Sequence, residues 1–598
     1  MNTEEKLPKI KYETEWDLTQ LYSSLDEIEK HVKKIERAYK KFEKKYRDKD
    51  NWLTSQGRLL SALEEWEDLF KLNPHRPITY LMMRRALESG NEEVEALYNI
   101  VSEKMTHIVN RVLFFPLALG NLPPSKKKEY IKGQKLKPFQ YYLQQIFQQS
   151  KYKLSEEEER VVNLFSLPAQ QLWVHGVSKE VGQLTVEYKK KEIPLAEALK
   201  RTEDLPTVER RKLWKLCMDA LESVSDFATH EINAVVTTKK IEDNLRGFKK
   251  PYSESVMDYE NTEENVEGLV EAVTDQFKIS RKYYRLKKEL LGLKRMEYAD
   301  RQANIGSIST TFSFDEQVQL FREALENVRP EYREFFDAML KEGRIDVAPK
   351  KGKKGGAFCI CSNPSSPVFA LLNDVGTFDS FRTLSHEMGH ALHGEMTKKH
   401  VRPTYQSFPT STAEVASTYF ENIAFDHVFG MLDEKEQVIA LHDKLDSSMA
   451  TIFRQIALFN FEKELHTTVR EEGAVSKERL KKTLNEHMQS YLGDAVEMKD
   501  MNSNLFVTWP HIRFFFYVYT YAYGEITSAA LYSKYKENPA YEEKVYEFLA
   551  AGGSMSPEDI FKRAGLDLST QFFKDGLKLL NKEVNRLKRL AKKADMIK

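Results

Sequence analysis

Residues 381–396 read FRTLSHEMGHALHGEM, and they place His386, Glu387 and His390 in the arrangement H-E-x-x-H. On a helix, positions four apart lie one turn above each other, so both imidazoles can reach one metal ion. Glu387 points about 100° round the axis from His386 and can lie beside a metal-bound water. With 14 histidines in the chain, chance produces H-acid-x-x-H roughly 0.05 times in a sequence of this size. Phe381, Leu384, Met388, Ala391 and Leu392 supply an apolar face to bury the helix. The pattern therefore predicts a helix carrying a zinc site rather than histidines on an ordinary helix.

A catalytic zinc keeps three protein ligands and an open position for water. His393 lies three residues after His390, but three ligands from successive turns of one straight helix rarely converge on one ion. The extended metzincin spacing requires Gly at 393 and His at 396, where this chain has His393 and Met396, so that subclass is excluded. A carboxylate on a following helix is the other solution. The stretch 410–429, TSTAEVASTYFENIAFDHVF, begins with capping Ser/Thr residues and carries Glu414 and Glu421 two turns apart on one face.

Working outward, the chain has 598 residues, of which 41% are hydrophobic and 11% aromatic, enough for more than one core and incompatible with wholesale disorder. Lys+Arg and Asp+Glu balance at 91 each, so no global charge attracts nucleic acid or anionic lipid. Only 25 Gly and 20 Pro favour helices over a turn-rich β fold. Helical periodicity runs through Asp26–Lys49 and places Phe573, Leu577, Leu580, Val584 and Leu587 on one face near the end. The breakers Gly120–Ser125 separate two helical blocks, and Gly176–Glu192 has the alternation of a short hairpin. Pro349–Phe358 lacks the Gly-Lys-Ser/Thr of a phosphate loop and reads as a mobile basic loop. After it, Ala357–Cys361 and Val368–Leu372 read as two short strands around a turn at Asn363–Pro367.

Cys217, Cys359 and Cys361 cannot make a disulfide framework or a thiolate zinc site, and they read as reduced thiols. The N-terminus has no apolar secretory segment, and the runs Val112–Leu119 and Phe514–Tyr523 are too short to span a bilayer. A soluble, cytoplasmic protein without membrane or nucleic-acid partners is the expectation.

The segments H-E-M-G-H-A-L-H (386–393) and A-E-V-A-S-T-Y-F-E (413–421) together resemble the M3 family of zinc oligopeptidases, of the oligoendopeptidase F type. Trp16-Asp17-Leu18, Leu245-Arg246-Gly247, Gly355-Gly356-Ala357-Phe358 and Trp509-Pro510-His511 agree with it, as does the run Phe516–Tyr521. The likeness spans nearly the whole chain. It implies a mainly α, two-lobed fold enclosing a deep channel, with a small β-sheet next to the zinc. The division expected with it is an N-terminal helical lobe over 1–195 and a catalytic region over 196–598, the last helices packing back on the first lobe.

The resemblance also implies one Zn2+ per chain held by His386, His390 and Glu414, with Glu421 behind a ligating histidine. Glu387 is implied as the base, and His511, Tyr517 and Tyr521 as donors to the oxyanion. Tyr517 and Tyr521, four apart, share a helix face, and Tyr519 points the other way. The implied reaction is internal cleavage of short unstructured oligopeptides. A related zinc exopeptidase, of carboxypeptidase or dipeptidyl type, and an inactive helical peptide-binding scaffold are the alternatives; products from a peptide ladder and a metal assay separate them.

Overall fold

Helices dominate because apolar residues recur at three- and four-residue spacing while Gly and Pro gather at segment ends. The computed structural model describes residues 7–361 and 366–598, and 72% of the chain is helical. The helix Leu25–Tyr46 buries Ile28, Val32, Ile35, Tyr39 and Phe42, with acidic residues in its first turn and lysines in its last. The helix Thr570–Lys593 starts at the Ser569 cap and buries Phe573, Leu577, Val584 and Leu587. Gly120–Ser125 separates Phe114–Gly120 from Pro124–Lys132, as its breakers require. Among the described residues no helix is long and apolar enough to cross a membrane.

Among the described residues there are also five short strands. β1 (Thr185–Tyr188) and β2 (Lys191–Pro194) form an antiparallel hairpin. Its turn residues, Lys189 and Lys190, both take positive φ, as a tight two-residue hairpin turn demands. The hairpin fills only the second part of the stretch 176–192, because Gly176 belongs to the helix Leu172–Gln183. β3 (Ile345–Asp346), β4 (Phe358–Ile360) and β5 (Phe369–Leu371) make the second sheet, with β5 central, parallel to β3 and antiparallel to β4. β4 and β5 fall inside the two expected strand segments. Residues 363–365 of the expected turn lie outside the described residues.

Trp16 fixes this sheet, its indole N–H donating to Ala370 O at 2.8 Å and its backbone N–H to Asp346 Oδ2 at 3.2 Å. The basic stretch before β4 is pinned, contrary to its sequence reading. The Lys353 ammonium is buried against Asp346 Oδ1 at 2.7 Å and donates to Ala348 O at 2.8 Å. Gly352 O accepts from Ser89 N, and Lys354 N donates to Ala86 O. Burial of one charge against another outweighs the flexibility that its glycines suggest.

The chain separates into two compact units, each assembled from three segments. The first takes Met1–Lys151, Thr310–Val428 and Leu531–Gly565; the second takes Tyr152–Ser309, Phe429–Ala530 and Leu566–Lys598. No boundary falls at 195/196, and residues 152–195 belong with the second unit rather than with the N-terminal segment. Residues 531–565 fall in the first unit and the final helix in the second.

In the first unit, the N-terminal helices build a core with Phe115, Tyr130 and Phe139 that also takes in Phe369 and Leu371 of β5. In the second, Arg246 pairs with both oxygens of Glu159, at 2.7 and 2.9 Å. Gly247 there ends the helix Ser225–Arg246 in the left-handed conformation at φ 83°.

Candidate active site

The H-E-x-x-H residues lie mid-way along the helix Phe378–His400, which starts at Thr377, whose side chain accepts the Ser380 N–H at 3.1 Å. The helix Thr410–Phe429 packs against it at Gly389, where a Cβ would lie 2.6 Å from Ser417 Cα and 2.9 Å from Ala416 O. Only a residue without a side chain allows that approach. Gly394 serves the same purpose towards the sheet, where a Cβ would come 2.5 Å from the Cβ of Cys361.

This packing gathers His386, His390 and Glu414, whose ligand atoms all lie within 4.8 Å of one another. Glu414 Oε2 is 3.7 Å from His386 Nε2 and 3.9 Å from His390 Nε2. Two imidazole nitrogens and one carboxylate oxygen at this spacing fit the donor set of a catalytic divalent metal site. Burial drives His390 down to about 4, so its ring is neutral and able to ligate at neutral pH.

Behind these residues, Glu421 Oε2 meets His386 Nδ1 at 3.3 Å and Glu421 Oε1 accepts from Arg382 Nη2 at 2.6 Å and Nε at 3.1 Å. Burial raises the Glu421 pKa, but the Arg382 charge and the His386 bond outweigh it and hold it at about 2. A permanent carboxylate on Nδ1 assigns the proton there and leaves the Nε2 lone pair available to a metal ion. Arg382 escaped the sequence reading, although its position four residues before His386 was the available signal.

Glu387 is buried. Burial, with the Glu414 charge adding to it and His386 opposing, pushes its carboxyl up to about 7. His393 takes no part in the cluster. Its ring stacks on Phe408 at 3.8 Å and lies 5.6 Å from Phe548, a purely packed position that excludes it as a ligand. All three cysteines are free thiols, and burial pushes Cys217 up to about 12.

A second cluster lies in the other unit. His511 Nδ1 and the Tyr517 hydroxyl share a hydrogen bond. Ring centroids are 6.1 Å apart for His511 and Tyr521 and 5.8 Å for Tyr517 and Tyr521. Tyr521 stands in the first turn of the helix Tyr519–Glu537, but Tyr517 precedes that helix. The shared helix face expected for the pair is therefore not how they meet; a turn at Phe515–Phe516, both at positive φ, swings Tyr517 to Tyr521. Tyr519 is fully buried elsewhere, its hydroxyl accepting from Asn261 Nδ2 at 3.4 Å. Arg513 anchors the segment, bound to both oxygens of buried Glu231 and donating to Phe506 O and Trp509 O.

The family model described as Peptidase family M3 matches residues 206–576, well over half the chain. The chain belongs to peptidase family M3. A second model, described as Oligopeptidase F, matches residues 119–175 of this M3 peptidase. The chromosomal oligoendopeptidase F of Lactococcus lactis subsp. cremoris is 25% identical over 97% of both chains. The oligopeptidase PepF of Bacillus subtilis is 24% identical over 94% of this chain and 85% of its own. Among solved structures, a Chlamydophila abortus peptidase superposes with a TM-score of 0.83 at 21% identity, covering 97% of this chain and 99% of that one. Oligoendopeptidase-F from Enterococcus faecium superposes at 0.70 with 20% identity, covering 95% and 99%. Both share the fold of this metal-dependent M3 peptidase.

Proposed function

We propose that this M3 peptidase is a cytoplasmic zinc endopeptidase that hydrolyses internal bonds of short, unstructured oligopeptides. One observation carries the reading: three converging metal donors beside a buried carboxyl, Glu387, which shares a helix with two of them, His386 and His390. The names of the relatives support the oligopeptide substrate class.

His386, His390 and Glu414 would hold the ion, with Glu421 orienting His386 through Nδ1. When bound, zinc supplies Lewis acidity to the scissile carbonyl and acidifies the attacking water. Glu387 takes the proton of that water and returns it to the leaving amine. His511, Tyr517 and Tyr521 are the proposed donors to the negative charge that develops on the carbonyl oxygen. Their mutual packing supports this role, because a phenol already hydrogen-bonded to an imidazole has its orientation fixed before substrate arrives.

The test uses purified protein before and after chelation, its zinc content, and mass spectrometry of products from a peptide ladder. Internal cleavage that disappears with the chelator and returns with one equivalent of zinc is expected. Glu387→Gln should retain zinc and lose roughly two to four orders of magnitude in kcat. Release of terminal residues alone would mark an exopeptidase, and zinc retention in Glu414→Ala would overturn the ligand set.

A further inference from the structure

The turn that delivers Tyr517 is unusual. Phe515 at φ 49° and Phe516 at φ 57° are consecutive left-handed residues with no glycine, a conformation strained for any residue bearing a Cβ. Such a pair persists only when its surroundings hold it. The Phe516 ring is fully buried, with centroids of Phe459 at 5.4 Å, Tyr252 at 5.8 Å and His466 at 4.8 Å. His466 also meets the Phe515 ring edge-on at 5.3 Å.

The backbone is held separately. Phe516 N–H donates to Glu462 Oε1 at 3.1 Å. Glu462 lies one turn before His466 on the helix Gln455–Glu472, and both are fully buried. Glu462 Oε2 makes no hydrogen bond among the described residues. Burial pushes the Glu462 carboxyl up to about 8, so at neutral pH it is largely an uncharged acid. A buried acid of this kind contributes little as an ionic stabiliser. What it does contribute is an acceptor for the peptide N–H immediately before Tyr517. It is also close enough to Tyr517 that its ionised form raises that phenol's pKa, after burial and Tyr521.

We propose that Glu462 is a positioning residue: by accepting the Phe516 N–H it holds the left-handed turn at 515–516 and thereby keeps the Tyr517 hydroxyl on His511. The proposal rests on the donor role given above to His511 and Tyr517. Rotation at Phe516 moves the phenol at the end of a long side chain, so a small relaxation of the turn displaces the hydroxyl far more than the backbone.

The experiment uses the full-length zinc-loaded enzyme and a double-mutant cycle. Glu462→Met removes the acceptor at similar volume, Glu462→Gln keeps a carbonyl acceptor, and Tyr517→Phe removes the donor. Each variant and the Met/Phe double variant are measured for kcat, KM, zinc content and Tm. Glu462→Met should lower kcat by about tenfold or more with KM and zinc nearly unchanged, and Gln should stay within about threefold of the parent. In the Tyr517→Phe background, Glu462→Met should remove no more than about twofold further, because its effect is routed through that phenol.

A Met variant with full kcat overturns the proposal. A further tenfold loss in the double variant overturns it too, since Glu462 would then act on the fold at large. Full kcat in Tyr517→Phe alone refutes the donor role of Tyr517, a failure distinct from that of Glu462. Should the Met variant not fold, Glu462→Asp takes its place in every arm: it withdraws the acceptor by one methylene, should show the same loss, and overturns the proposal if it does not.

Discussion

Gly389→Ala tests whether close helix packing sets the metal geometry. Its new Cβ would stand 2.6 Å from Ser417 Cα, 2.9 Å from Ala416 O and 3.1 Å from Ser417 N, all backbone atoms that cannot swing aside. Carbon contacts relax near 3.5–4.0 Å, so the helices must part by about 1 Å. Overpacking of this size costs roughly 1–3 kcal/mol, and the better helix propensity of Ala returns about 1 kcal/mol. A net loss of about 0–2 kcal/mol leaves the protein folded.

The site suffers more. Glu414 Oε2 sits 3.7 and 3.9 Å from the two histidine nitrogens, and metal-ligand bonds tolerate errors of only about 0.2 Å. Metal affinity and kcat/KM should each fall by about a hundredfold. Zinc is titrated in a chelator buffer, kcat/KM is read on a quenched peptide, and Tm is taken on the metal-free protein. Gly182→Ala is the control, as it meets nothing within 4 Å in its helix. Unchanged zinc affinity and kcat/KM in Gly389→Ala would refute the reasoning, whatever happens to Tm.

Glu421→Gln should weaken zinc binding by roughly 10–100-fold, because His386 loses its anionic partner; equal affinity in a chelator titration would remove Glu421 from the site. Tyr521→Phe should lower kcat by about a hundredfold with little change in KM or zinc, whereas Tyr519→Phe, buried away from the cluster, should retain kcat; equal kcat values would dismiss Tyr521. Burial holds His393 at about 3, below its unfolded value of about 6.5. The unfolded chain therefore takes up this proton first, and metal-free stability should fall as pH drops from about 6.5 towards 3, by up to about 2 kcal/mol at pH 5. His393→Phe should remove that part of the slope; identical Tm-against-pH curves would contradict the assignment.

The proposed metal-binding histidines were legible because their geometry is local. The i, i+4 histidines need only a helix, whereas Glu414 and Glu421 share one face of the second helix and only the family resemblance singled out Glu414. The same chain hides what depends on contacts between distant segments. The stretch Arg513–Thr520 has no Gly or Pro to announce that Phe515 and Phe516 leave the helical region; buried Glu462 and the aromatic shell around Phe516 impose it. Lys353 reads as one more solvated base until Asp346 appears beneath it. The interleaved units are likewise silent in composition, since their boundaries carry no distinctive run of breakers.

That interleaving has a consequence for synthesis. The first unit needs residues 1–151 and also 531–565, so its opening segment leaves the ribosome long before its closing one. At 5–20 residues per second the wait is roughly 20–80 s. Until β5 also emerges, the core that Val32, Ile35 and Phe42 share with Phe369 and Leu371 is incomplete, and these apolar faces are open to holdase chaperones. Slower translation between codons 152 and 371 should lengthen that exposure, and in cells short of chaperones the yield of active peptidase should fall with it.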